Sequence, residues 1–500
     1  MQRHSDAMSG GPSAQATGPG TGREITADLC IIGAGSGGLS LAASSAQIGL
    51  KVVLIEKHKM GGDCLNYGCV PSKALIAAAR RAQHMRTADV FGLRAVDPQI
   101  DPRAVHDHVH SVIAAIAPND SVERFTGLGV QVIQAAGRFV DRHTVMAGDT
   151  LVRAARFCVA TGSSPAVPPI PGLDQVPYFT NETIFDNTRS IGHLIVVGGG
   201  PIGLELAQAH MRLGAQVTVL EGLKALGKDD PELSDVVLKR LRAEGLVIRE
   251  GAKVERVEGR GGAVRVAIAT AEGMEQVDGT HLLIATGRQP NVADLNLEAA
   301  QIKYDRRGIQ VNRKLVTSNP KVFAIGDVTG GLQFTHVANY HAGIVFRRLL
   351  LRGFANLVGG ASLRDDHIPW VTFTDPEIAH VGLSEDQARA KHGRVNIYRW
   401  PYHENDRAQA ERAPDGFVKV VTDRKGKILG AGIVGEHAGE LIQMWSLAIS
   451  QDMGITAMTQ WISPYPTFSE VNKRAALTYY AQKAGSPAVR RLVGVLKRFG

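Results

Sequence analysis

A chain of 500 residues exceeds the roughly 250–300 at which a single hydrophobic core stops growing, so more than one domain is expected. Hydrophobic content of 44% against 21% charged residues excludes a disordered or fibrous chain, and no stretch approaches the ~18 apolar residues of a membrane span. Four cysteines are too few for a disulfide scaffold and point to the cytoplasm; the net charge of +8 invites a nucleic-acid reading, but no motif for one appears.

The 56 glycines and low aromatic share suit an α/β enzyme with many tight turns. The first 22 residues are polar and rich in Gly, Ser and Pro, without the apolar run of a signal peptide, and a disordered tail is expected over 1–23. Two later segments share one design: a short apolar strand, GxGxxG, an apolar-periodic helix, and a second strand ending in an acid. The first runs from Ala27 to Lys57 with Gly33, Gly35 and Gly38, the second from Gly192 to Gly222 with Gly198, Gly200 and Gly203. First glycine and terminal acid stand 23 positions apart in both copies, reaching Glu56 and Glu221. Glycines permit the tight strand-to-helix turn and let a pyrophosphate approach the amides at the helix N-terminus. The acid is placed to take the ribose hydroxyls. One such pattern is weak; two complete copies indicate two nucleotide sites, one for a bound flavin and one for a diffusible nicotinamide.

Between the copies lies "GGDCLNYGCVPSK" (61–73), holding Cys64 and Cys69. A zinc site needs four ligands, and the other cysteines, Cys30 and Cys158, sit inside apolar strands as core thiols. No metal site is expected. Pro71 suits the first turn of a helix through 72–85, which puts Cys69 at a helix N-terminus, where the dipole favours a thiolate. Lys73, at i+4, adds positive charge on the same face. The pair therefore reads as a redox couple. Further along, 157–165 and 282–291 are strand-then-ATG turns, and 321–331 is an apolar strand ending at a Gly-Asp turn that presents Asp327.

From about residue 25 to 482 the sequence resembles the two-nucleotide flavoprotein disulfide reductases, which include dihydrolipoyl dehydrogenase, glutathione reductase and mercuric reductase. The resemblance implies an α/β fold with two Rossmann-like domains, for FAD and NAD(P), plus a C-terminal α+β dimerisation domain. The expected division is FAD domain 24–165 and 289–360, NAD(P) domain 166–288, dimerisation domain 361–482 and basic tail 483–500. Segments 368–388 and 416–435 and a helix over Glu440–Ile449 fit the dimerisation domain. By resemblance Glu56 serves the FAD ribose and Asp327 the ribityl chain, while Thr335 and His336 begin a helix facing the isoalloxazine ring. Gly137, Thr161, Gly162, Gly287 and Gly326 are likewise implied as cofactor-binding, and Lys73 would pair with Glu205 near the flavin. Cys69 would be the thiol against the flavin and Cys64 the one that exchanges with substrate. Glu221 favours NADH, since a carboxylate repels a 2′-phosphate; Lys224 and Lys228 leave NADPH open.

Members acting on disulfides carry a histidine–glutamate pair, supplied by the partner subunit of a homodimer. In "ISPYPTFSE" (462–470) Glu470 is present, but Tyr465 occupies the histidine position. A phenol titrating near pH 10 shuttles protons poorly at neutrality, whereas a soft metal ion needs thiolates and no such base. Pro464-Tyr465 matches the mercuric reductase-like branch, although the tyrosine could instead only pack the interface. The match is incomplete: the first 22 residues hold no cysteine of a metal-collecting domain, and no cysteine follows Cys158. The expected acceptor is a soft metal ion or another small oxidant. The alternatives are a dihydrolipoyl dehydrogenase-type enzyme and a non-catalytic flavin-bound redox sensor. In the last tail Arg490, Arg491, Lys497 and Arg498 alternate with Leu492, Val495, Leu496 and Phe499 at helical spacing. Packing on its own protein is the expected outcome, peripheral contact with an anionic membrane the less favoured one.

Overall fold

The computed structural model of the protein describes residues 23–351, 361–484 and 487–499. The expected tail 1–23, apart from Arg23, lies outside the described residues, as do 352–360, 485–486 and Gly500.

The first repeat builds the centre of a seven-stranded sheet in the order 131–134, 52–56, 24–32, 150–159, 144–147, 137–141, with 322–324 also on 150–159. The strands around the first glycine turn run parallel, and the C-terminal strand 322–324 returns beside 157–159. Apolar residues crowd these strands because both faces are covered, as in any parallel sheet packed between helices. Leu29 and Ile31 enter one core, Cys30 and Ile32 the other. The second repeat forms a four-stranded parallel sheet, 247–250, 216–221, 193–197 and 281–284, again buried on both faces. An antiparallel sheet of 253–260, 263–270 and 273–279 is appended to it.

Residues 369–435 supply a five-stranded antiparallel sheet, covered by helices that follow. Phe417–Thr422 and Ile428–Gly435 pair as the expected strand–turn–strand. The single helix expected over 440–449 is instead two, Ala438–Leu441 and Gln443–Ser450. The break falls at Ile442, where the amide of Trp445 bonds the carbonyl three residues back rather than four. Fully buried Trp445 donates its indole N–H to Asn472 Oδ1 at 2.8 Å, which fixes the helix pair against Glu470–Ala484.

Two charge clusters, each built on a buried cation, join the second nucleotide unit to this sheet. Lys419 Nζ reaches Asp230 at 2.9 Å, Glu232 at 2.7 Å and Glu385 at 3.0 Å. Arg212 reaches Glu244 at 2.7 Å and Asp375 at 2.8 Å. Removing Lys419 would leave Asp230 buried without its cation, while Arg399 still pairs with Glu232 and Glu385. Lys419→Met should therefore cost about 3–5 kcal/mol, read as a fall in the urea midpoint of the unit; an unchanged midpoint would contradict a structural role for the cluster.

Candidate active site

Both glycine turns have one construction. Gly33 (φ +108°) and Gly198 (φ +114°) adopt a backbone that side chains rarely allow, and a Cβ on either would strike a carbonyl, Ala160 O or Ala285 O. Gly38 and Gly203 do not line the cleft as cofactor contacts. They are buried in their helices against the carbonyls of Gly33 and Gly198, so their smallness permits close helix–strand packing. Gly35 and Gly200 face open space, with nothing within 4 Å of a built Cβ. Each lies just before a helix, Ser36–Gln47 or Pro201–Arg212, whose free N–H groups suit a pyrophosphate. Both turns thus fit a dinucleotide.

The terminal acids brace these turns. Glu56 Oε2 accepts from Ala34 N–H at 2.7 Å and Glu221 Oε2 from Gly199 N–H at 2.8 Å. Their second oxygens accept from His58 and Leu223 amides, each at 2.8 Å. A cleft of about 1910 Å³ runs between the turns. It is lined by both acids, both open glycines, Gly137, Thr161, Gly162, Gly287, Gly326, Asp327, Thr335 and His336. Lys224 and Lys228 line it beside Glu221.

The cysteine loop presses on the first turn: Gly61 N–H donates to Ala34 O at 3.0 Å, and a Cβ on Gly62 would stand 2.7 Å from Gly35 Cα. A short helix, Gly62–Asn66, carries Cys64, and a long one, Cys69–Arg86, begins at Cys69 itself. The helix Thr335–Leu350 starts opposite, with Thr335 Oγ1 at 3.4 Å from Cys69 Sγ. Both cysteines are free thiols, Cys64 half-buried and Cys69 exposed to the cleft. The bond from Cys64 lowers the Cys69 thiol to about 6 against the burial that opposes it, aided by Thr335 and the charge of Lys73. The same bond and burial push Cys64 up. Burial also pushes up Cys30 and Cys158, the core thiols.

Lys73 Nζ pairs with Glu205 Oε2 at 2.7 Å and lies 4.3 Å from the centre of the Phe373 ring. Glu205 is buried, and its other oxygen accepts from Phe373 N–H at 2.9 Å. Across the cleft Ser163 Oγ donates to Asp327 at 2.6 Å, while Arg288 donates to Ser163 Oγ at 2.7 Å and reaches Asp63 at 3.1 Å. Burial pushes the Asp327 carboxyl up, offset by Ser163 and Arg288. The two ATG turns are tied together by Thr161 Oγ1, which donates to Asn291 O at 2.7 Å, and by Asn291 Nδ2, which donates to Thr161 O at 2.9 Å. His336 Nε2 lies 2.8 Å from Pro369 O. Sequence reasoning missed Asp63, Ser163, Arg288 and Phe373. Asp63 stands beside Cys64, and Ser163 and Arg288 each directly follow an ATG turn, so all three were open to inspection; Phe373 carried no local signal.

Tyr465 and Glu470 do not line the cleft of their own chain. Tyr465 is 70% exposed and donates its hydroxyl to Asp406 at 2.8 Å, which raises its pKa above the usual phenol value. Glu470 opens the helix Glu470–Ala484 and pairs with Arg474 at 2.9 Å.

Two nucleotide turns of one design converging on a dithiol define a dinucleotide-dependent redox enzyme. Residues 27–342 match the pyridine nucleotide-disulphide oxidoreductase family and 368–476 its dimerisation domain, and the chain belongs to that family. The family implies FAD and NAD(P)H. A mercuric reductase of Lysinibacillus sphaericus is 35% identical over 90% of this chain and 82% of its own length. A dihydrolipoyl dehydrogenase of Thermus scotoductus is also 35% identical, over 91% of this chain and 98% of its own. Among solved structures, the Cu(II) complex of an HOCl-induced flavoprotein disulfide reductase from Escherichia coli superposes with a TM-score of 0.79 at 28% identity, covering 90% of this chain and 99% of that one.

The thiol chemistry has a direct check. In Cys64→Ser, which keeps a hydroxyl donor, the rate of iodoacetamide labelling at Cys69 should rise with pH through a midpoint well below 9, since the thiolate is the reactive form. Lys73→Met should move that midpoint up and Asp63→Asn should move it down, because the lysine favours the thiolate and the carboxylate opposes it. Peptide mass spectrometry reads both; a midpoint near 9 unaffected by either change would refute the assignment.

Proposed function

We propose that the chain is a homodimeric FAD enzyme that passes two electrons from NAD(P)H to the Cys64–Cys69 couple and on to a soft metal ion or another small oxidant. When bound, the two nucleotides supply the hydride and electron chemistry. The chain's own residues hold the thiols, the charges and the shape of the cleft. Cys69, at a helix start beside Lys73, holds a thiolate; Cys64, half-buried, keeps its proton until an acceptor takes the sulfur. Lys73 is oriented by Glu205 and presents a positive charge to the cofactor edge. Asp327 and Ser163 offer hydrogen bonds to a polar cofactor chain, and the FAD and NAD(P) regions are assigned to 24–165 with 289–360 and to 166–288.

The observation that carries the choice of acceptor is Tyr465. Its proton is committed to Asp406 and its pKa is raised, so it is a poor acid–base group for thiol exchange at neutral pH. Exposed Ile462, Tyr465 and Leu447 on the dimerisation domain support an interface there, across which Tyr465 and Glu470 would reach the partner's cleft. A mercuric reductase and a Cu(II)-bound reductase among the relatives support a soft-metal acceptor. Retained Glu470 and the equally similar dihydrolipoyl dehydrogenase favour dithiol oxidation as the second reading.

An acceptor panel separates the two. With NADH, Hg(II) or Cu(II) should be consumed faster than dihydrolipoamide is oxidised with NAD, and Tyr465→His should raise the dihydrolipoamide rate by roughly a hundredfold. A robust wild-type dihydrolipoamide rate would overturn the preference, and silence with every acceptor would leave the redox-sensor reading. For nucleotide choice, Glu221→Ser should raise the NADPH/NADH ratio of kcat/KM by about tenfold through loss of like-charge repulsion; an unchanged ratio would show that Glu221 only braces its turn.

A further inference from the structure

The last helix, Pro487–Leu496, is accounted for by neither nucleotide unit nor the dithiol. Residues advance by about 100° around an α-helix. Leu492, Val493, Val495 and Leu496 therefore share one side, and a following turn brings Phe499 onto it. Hydrogen bonds donated by Lys497 N–H to Val493 O at 2.9 Å and by Phe499 N–H to Leu496 O at 3.0 Å carry the winding past the helix end. Arg490, Arg491, Lys497 and Arg498 fall on the opposite side, with no acid in the segment.

Every side chain from Arg490 to Phe499 is exposed, Leu496 by 57% and Phe499 by 83%. The expected packing of this end on its own protein is thus absent for these side chains. A second copy packed by its apolar side would cover that side only, leaving both sets of cations facing outward with no opposite charge. A layer of negative charge over hydrocarbon matches both faces at once. No helix of the described residues is long and apolar enough to cross a membrane, and this one is short enough to lie in the interface plane.

We propose that residues 487–499 form a reversible anchor that lays its apolar side into an anionic phospholipid surface while its four cations meet the headgroups. Cosedimentation of the full-length holoenzyme with phosphatidylcholine vesicles, with and without phosphatidylglycerol, tests this. The enzyme should pellet with the anionic vesicles only, and less as salt is raised. Arg490→Gln with Arg491→Gln should weaken binding by about thirtyfold, at roughly fivefold per cation. Leu492→Asp with Leu496→Asp should abolish it at unchanged flavin content. In Phe499→Trp, indole emission should shift to the blue on anionic vesicles. Equal binding to both vesicle types, or to neither, would overturn the proposal. So would a lower sedimenting mass for Leu492→Asp with Leu496→Asp, which would make the helix part of a subunit interface.

Discussion

The position of the dithiol depends on one close approach between two stretches of backbone. Gly61 donates to Ala34 O, and Gly62 has no side chain to hold Gly35 away. A side chain at position 62 would push the cysteine loop off the turn that the first nucleotide is expected to occupy. With the loop seated, the helix beginning at Cys69 points its N-terminus into the cleft, where the helix beginning at Thr335 meets it. Thr335 Oγ1 then stands 3.4 Å from the Cys69 sulfur, and Lys73 lies one turn behind it. The low thiol pKa follows first from the Cys64 hydrogen bond, against burial and with help from Thr335 and Lys73.

Much of this was legible because the chemistry is written at short range. GxGxxG, the acid 23 positions on, and the cysteine–proline–lysine run each lie within one supersecondary unit, and the structure builds each where its spacing requires. The third glycines show the limit of such reading: their pattern is the same as that of the open ones, yet they pack against carbonyls and never meet the cleft. What could not be read is contact between distant segments. Arg288 reaches Ser163 across 125 positions and Ser163 reaches Asp327 across 164, and no periodicity encodes either. Phe373 contributes a backbone N–H and a ring face, for which its identity gives little hint. The acids Glu56 and Glu221 were legible as to place but only partly as to work, since both also hold the glycine turns closed.

Tyr465 and Glu470 illustrate a different limit. They sit on the dimerisation domain, away from their own cleft, so a single chain carries the two halves of the expected site on separate surfaces. In the proposed homodimer the partner's copy of this domain would bring the two halves into the same frame. The C-terminal helix departs from expectation for the opposite reason: apolar spacing within a helix states that a face will be covered, not by what.

Glu205 has one further consequence. Its two oxygens are held by Lys73, from the dithiol helix, and by the amide of Phe373, just past the first strand of the dimerisation domain, while its own helix belongs to the second nucleotide turn. Three separately built parts of the chain therefore meet at a single carboxylate. Any swing of the second nucleotide unit, such as one admitting or releasing its ligand, must drag that carboxylate and loosen the lysine. The charge presented beside the dithiol therefore depends on the second nucleotide unit and the dimerisation domain keeping their present places.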